Sequence, residues 1–422
     1  MTSDTTVVAL RQPDAIDDPL TVILRSGARR LLAQAVEAEA EAFLALMKGM
    51  QLPDGRERLV RHGLGPERVI QTGIGPVEVR RVKLRDRGAG DEGERIRFTS
   101  AILPRWGRRT RSLDALLPIL YLRGVSMGDF QVALAALLGP DAPNLSPSVI
   151  ARLRGEWEAD YARWQRRDLS ARRYVYVWAD GVYLQARMEP QAECMLVLIG
   201  ATPEGKKELL GFQVGMREST QSWRELLVDL KARGLSIAPE LATGDGALGF
   251  WKALEAVSPT TRHQRCIVHK TANILDKLPK SVQPAAKADL REIWAAPDRA
   301  TAETAMATFD EKYRAKYEKA VACLVKDSAM LLTFYDFPAE HWDHLRTSNP
   351  IESVFATVRH RTVRIKGALS QDTARLMVFK LVMAAARTWR RLKGENQLPK
   401  VIAGVTFRDG VEVTNTPAQN AA

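Results

Sequence analysis

Cysteine is scarce: Cys194, Cys266 and Cys323 are the three in a chain of 422 residues. So few cannot staple a protein of this length, which excludes a disulfide framework and points to a reducing compartment. Long hydrophobic runs are missing as well. The longest, near Met195, is a handful of residues, where a membrane-crossing helix needs ~20. The first residues carry Asp4, Asp14, Asp17 and Asp18, whereas a secretory signal would begin with a basic stretch ahead of an apolar one. The chain therefore reads as cytoplasmic, with no membrane partner.

What is present in excess is positive charge. Lys and Arg number 62 against 50 Asp and Glu, for a net charge of +12. The excess is uneven. Residues 1–50 hold 5 basic and 7 acidic side chains, whereas residues 346–393 hold 11 basic and only Glu352 and Asp372 as acids. A further basic block spans residues 56–123. Separated basic blocks suit a long polyanion contacted at several places, because each phosphate neutralised releases counterions. An arginine-rich solvated face accounts for the charge equally well.

Periodicity divides the chain. Residues 20–48 carry Leu24, Leu31, Leu32, Val36 and Phe43 at helical spacing and stop at Gly49, which predicts an amphipathic helix. Residues 69–98 alternate like a hairpin, with Gly73 and Gly75-Pro76 as turn signals. Apolar-periodic runs before and after Gly124 follow. A further helix is opened by Ser146 as N-cap with Pro147 in its first position and carries Arg152 and Arg154. This series is compatible with a helix-turn-helix DNA reader, or with an ordinary helical bundle. From Arg173 the pattern becomes β-branched and aromatic. Three strands, a helix, a strand ending at Asp245-Gly246 and another helix predict an α/β layout, in which the first and fourth strands pair in parallel. Residues 270–345 read as helical throughout, and another long helix starts near Pro350.

Asp180 and Asp245 then end two neighbouring strands, and Glu352 could reach them from the helix opened by Ser348-Asn349-Pro350. Three carboxylates without histidine are hard oxygen donors suited to Mg²⁺ or Mn²⁺, and two such ions would serve phosphodiester displacement. Each aspartate precedes a glycine, which leaves room for a phosphate to approach; Asp-Gly is also a common structural turn. Cys266-x2-His269 is half of a zinc site by spacing, but the sequence offers no second half. His269 is a candidate DNA contact, and Cys266 a packing residue. Arg359, Arg361, Arg364 and Lys366 follow Glu352 and could clamp phosphates. Trp294, Trp342 and Trp389 could stack on an unpaired base or simply fill core.

In combination these motifs resemble the mutator-type transposases of bacterial insertion sequences, the IS256 family. The resemblance runs from about Phe98 to Lys393. It rests on Ala179-Asp180-Gly181, Gly244-Asp245-Gly246, Cys266-Ile267-Val268-His269 with Asn273, Asn349-Pro350-Ile351-Glu352 with Arg359, Arg361 and Thr362, and the upstream Leu120–Ser126 stretch. Met127-Gly128-Asp129 and Ser353-Val354-Phe355 depart from the usual pattern. The resemblance implies that Asp180, Asp245 and Glu352 are a DDE triad binding two Mg²⁺ or Mn²⁺ ions in an RNase H-like core. That core would occupy 171–269 and 346–395, interrupted by an all-helical insertion at 270–345. A helical and hairpin region at 1–105, a helical DNA-binding region at 106–170 and a tail at 396–422 complete the expected layout. The implied activity is cleavage and strand transfer of double-stranded DNA by at least a homodimer. A silent DNA-binding regulator, or a nuclease that cuts without joining, are the rival readings.

Overall fold

The computed structural model describes residues 19–88, 95–103, 105–113, 116, 120, 147–184, 193–215, 217–246, 249–353, 355–356, 358 and 371–413. They fall into two compact units, Met1–Leu153 and Arg154–Ala422.

In the first unit, helix α1 (Pro19–Leu46) covers an antiparallel pair, β1 (Leu59–Thr72) and β2 (Gly75–Asp86). The hairpin turns at Gly73-Ile74, with Thr72 paired to Gly75. Gly75 adopts φ 99°, open to glycine at no steric cost. The first strand starts ten residues earlier than the alternation predicts and the second ends at Asp86. Val36 and Ala40 pack on Ile70, Val77, Val79 and Val82. Leu31 and Leu46, however, are 68% and 80% exposed: two strands cover only part of the predicted apolar stripe. Arg58 grips Asp86 through two hydrogen bonds of 2.9 and 3.1 Å, the Gly88 and Ile96 amides add two more, and together they hold this buried carboxyl far below its usual range.

The second unit is built on a five-stranded mixed sheet of order β5-β4-β3-β6-β7. Its strands are β3 (Tyr176–Leu184), β4 (Glu193–Ala201), β5 (Lys207–Gly215), β6 (Leu241–Gly244) and β7 (Arg262–Arg265). The first three run antiparallel in sequence, and β6 joins β3 in parallel, as predicted. Strand β7, parallel to β6, has no counterpart in the sequence reading. It is Arg-His-Gln-Arg, a polar run that shows no alternation. Its Gln264 is fully buried, and carbonyls and an amide of the following segments replace water: Nε2 donates to Leu331 O at 3.0 Å and Oε1 accepts from Phe334 N at 2.9 Å.

The period-two alternation of β3 sends its residues to two layers. Val177 and Ala179 join Leu196, Leu198, Trp223 and Phe250 in a core beneath two helices, Thr220–Ala232 and Phe250–Val257, which we label α3 and α4 after α2 (Pro147–Gln165). Ser219 caps α3 through Ser222 N, and Gly234 at φ 101° follows its end. Tyr176 and Trp178 point the other way: the Tyr176 hydroxyl bonds His341 Nδ1 at 2.8 Å and Trp178 Nε1 donates to His344 O at 2.8 Å.

Residues 270–345 are helical where they are regular, as expected: α5 (Ile267–Leu275), α6 (Gln283–Ala295) and α7 (Arg299–Val325), the last kinked at Tyr317, precede short helical turns. Further on, α8 (Gln371–Ala386) brings Phe379 against Tyr161 and Phe212. Residues 398–413 are ordered into a short helix and a small hairpin rather than a bare tail. Helix α5 is anchored by a buried ion pair of Lys270 with Asp327, with Arg265 Nε 3.8 Å from the same carboxylate. Replacing Lys270 by Met leaves that carboxylate without its closest partner. A loss of about 3 kcal/mol is expected, read as a lower urea midpoint; an unchanged midpoint would show the pair to be dispensable.

Candidate active site

The parallel register pairs Ala179 with Gly244, so the next residues are Asp180 and Asp245. Asp245 follows the end of β6 as expected, but Asp180 lies inside β3 and not at its end, because pairing with β4 carries that strand on to Leu184. Each carboxylate accepts the amide of the glycine after it, at 2.8 Å from Gly181 in the first case and from Gly246 in the second. The Trp251 indole N–H donates to Asp245 O at 2.6 Å and pins that turn. Asp180 shares the face of Tyr176 and Trp178. Glu352 arrives from the helix that opens at residue 349, behind Ser348, whose carbonyl accepts the Ile351 and Glu352 amides at 2.8 and 3.1 Å.

The electrostatics join these groups. Burial pushes the Asp180 carboxyl up to about 6; His269 and the Gly181 amide oppose the rise, and the charges of Asp245 and Glu352 reinforce it. His269 is raised to about 9, first by its hydrogen bond with Cys266, against burial, and then by the Cys266, Asp245 and Asp180 charges. Burial disfavours the Cys266 thiolate, yet hydrogen bonds from His269 and Ser348 outweigh it and lower the thiol below its usual value. His269 Nδ1 lies 3.8 Å from Glu352 Oε1. Thus Asp180, Asp245, Glu352 and His269 form one charged neighbourhood.

A fourth carboxylate belongs to it. Burial raises Glu218 to about 7, and Asp180 and Asp245 push it further in the same direction. Its side chain lies against Gly181, where an added Cβ would collide with the carboxylate. The space beside that glycine, read from the sequence as room for a phosphate, is filled by Glu218. Sequence reasoning missed this residue because an acid next to a helix cap is commonplace. Only the fold carries it to Gly181.

The other candidates separate. Arg152 and Arg154 are exposed on α2, and Arg154 lies 3.9 Å from Asp372 in a surface ion pair. Arg359, Arg361, Arg364 and Lys366 lie outside the described residues, as does most of the predicted helix-turn-helix. Trp294 and Trp342 are packing residues whose indole N–H groups are spent on Thr271 Oγ1 and Phe337 O. Cys266 and His269 gain a third donor from Glu352, their ligating atoms lying within 4.8 Å of one another, a convergence that ligand counting along the sequence does not find.

The model of the Mutator family of transposases matches residues 1–391. The chain belongs to that family. It is 51% identical over 293 residues to the transposase for insertion sequence element IST2 of Acidithiobacillus ferrooxidans, covering 68% of this chain and 97% of that one. It is 48% identical over 298 residues to the transposase for IS6120 of Mycolicibacterium smegmatis, covering 71% and 92%. A solved intasome of simian T-cell lymphotropic virus with the regulatory subunit B56 gamma aligns at 14% identity over 50% of this chain and 63% of that one. Its TM-score is 0.18, too low to bear on the fold. Among the described residues of this Mutator-family chain, no helix is long and apolar enough to cross a membrane.

Asp180 and Glu218 bind protons more tightly in the folded chain than in an unfolded one, since their values of about 6 and 7 lie above 3.8 and 4.5. Their contribution to stability is fully present below the unfolded values and is lost as pH rises through the folded ones. In metal-free buffer the melting temperature should therefore fall between about pH 4 and pH 7. Asp180→Asn should flatten that slope and raise the melting temperature at pH 7.5. An equally steep slope in the variant would show that the repulsion lies elsewhere.

Proposed function

We propose that the chain is a DDE transposase of the IS256 type, which binds the terminal inverted repeats of an insertion sequence, cuts at the element end and joins the freed 3′-hydroxyl to target DNA. The observation that carries the reading is the convergence of Asp180, Asp245 and Glu352 at the junction of the parallel pair β3–β6. The strand order, three antiparallel strands followed by two parallel ones, supports an RNase H-like core at 171–269 and 346–395 with 270–345 as its insertion. Residues 106–170 would supply the helix-turn-helix contacts, Arg152 and Arg154 among them.

Three carboxylates fit hard divalent cations, and the burial that lifts Asp180, reinforced by its acidic neighbours, is a burden such cations relieve. Asp180, Asp245 and Glu352 would hold two Mg²⁺ or Mn²⁺ ions, which when bound favour the attacking oxygen and ease departure of the leaving one. The protein's own groups do the rest. His269, raised to about 9, would donate to a phosphate oxygen beside Asp180. Arg359, Arg361, Arg364 and Lys366 would hold the backbone on either side through phosphate contacts, which position without reading sequence. Water is the nucleophile in end cleavage and the 3′-hydroxyl in strand transfer. Because two element ends must be held together, the working form is at least a homodimer on double-stranded DNA in the cytoplasm.

The test uses labelled element ends, Mg²⁺ and a circular target. Wild type is expected to give joined product, whereas Asp180→Asn, Asp245→Asn and Glu352→Gln lose at least about 1,000-fold in cleavage and still shift the end fragment in a gel. Binding without any cleavage by wild type would instead favour a silent regulator, and cleavage without joining a nuclease. His269→Ala should slow cleavage by about 10²-fold with end binding kept. Full cleavage in that variant removes the proposed role of the imidazole.

A further inference from the structure

Ser348 is fully buried, and its hydroxyl touches three functional side chains at once. Oγ is 3.0 Å from Glu352 Oε1, 3.3 Å from His269 Nδ1 and 3.3 Å from Cys266 Sγ. The Ser348 amide also donates to Cys266 Sγ at 3.3 Å. A hydroxyl has one proton to give and can accept two. One assignment serves the Ser348 contacts: His269 Nδ1–H donates to Oγ, the Ser348 proton goes to Glu352 Oε1, and the sulfur takes the main-chain N–H beside its interaction with His269. The three donors that lie within 4.8 Å of one another thus surround a hydroxyl, which occupies the middle of what would otherwise be a soft-metal pocket.

The same residue controls the backbone beneath Glu352, since its carbonyl takes the Ile351 and Glu352 amides. Cys266 is tied in turn to the other strand end, its amide donating to Gly244 O at 2.9 Å, one residue before Asp245. A continuous chain of hydrogen bonds therefore links the β6 end, Cys266, Ser348 and Glu352.

We propose that Ser348 is a positioning residue, whose hydroxyl locks the Glu352 carboxylate to the Cys266-x2-His269 corner so that the third carboxylate is oriented before a cation arrives. The Cys266-x2-His269 motif then acts on Glu352 through Ser348. This inference rests on the reading of Asp180, Asp245 and Glu352 as cation ligands. Partners that orient a metal ligand typically change metal affinity by 10- to 100-fold when removed. Without the hydroxyl, Glu352 recovers the rotamer freedom of a long side chain.

The experiment compares Ser348→Thr with Ser348→Val in the full chain. Both add the same methyl bulk to a buried position and differ only in the hydroxyl, so misfolding from overpacking affects both. Mn²⁺ binding is measured by titration calorimetry, with melting temperature alongside. The expected result is that S348T binds Mn²⁺ within about threefold of wild type while S348V binds 10- to 100-fold more weakly, with matched melting temperatures. Equal Mn²⁺ affinities for the two variants overturn the proposal and leave the cation site standing. Wild type that takes up no Mn²⁺ and cuts no DNA overturns the cation-site reading itself, and this inference with it.

Discussion

Like charge held at one strand junction is the constraint to which the second unit answers. Pairing β3 with β6 in parallel sets Asp180 beside Asp245, with Glu352 and Glu218 in the same electrostatic neighbourhood. Such a cluster opposes folding, first because burial disfavours the charged forms of Asp180 and Glu218 and then because their acidic neighbours add to it. The chain tolerates it by surrounding the acids with fixed donors. The Gly181 and Gly246 amides, the His269 imidazolium and the Ser348 hydroxyl all face carboxylate oxygens.

The support extends into the helices between residues 270 and 345, which are more than a spacer between Asp245 and Glu352. Asp327, just past the end of α7, pairs with Lys270 at one side and approaches Arg265 at the other. Arg265 in turn lies over the Trp251 ring at 4.0 Å, and that indole holds the Asp245 carbonyl. An added Cβ on Gly246 would sit 3.4 Å from the Asp327 carboxylate, so the residue after α7 packs directly under the second Asp-Gly turn. Moving either partner therefore moves the ground on which Asp245 stands.

The legible parts of the sequence were those where burial demands apolar side chains. Strands β3 to β5 announce themselves as β-branched and aromatic runs, and Phe250–Val257 as a short apolar helix. The pairing of Asp180 with Asp245 followed from chain order and the preference for parallel crossovers. Strand β7 was invisible because its buried Gln264 is satisfied by hydrogen bonds to residues about 70 positions away, which no local window contains. Glu218 was missed because an acid beside a helix cap is commonplace, and its approach to Gly181 exists only in the fold. The stripe on α1 was read correctly as helical, but periodicity cannot tell how much of it a two-stranded sheet will cover.

The small hairpin of Phe407–Arg408 and Val411–Glu412 turns at Asp409 and Gly410, both at positive φ. Gly410 exchanges main-chain hydrogen bonds with Tyr335 and Ala339, in the stretch that leads to Ser348. A ribosome must therefore pass residue 410 before that stretch gains its last backbone partners, long after Asp180 has emerged. The segment that carries the third carboxylate is in this way braced by backbone made well after it, and after both aspartates.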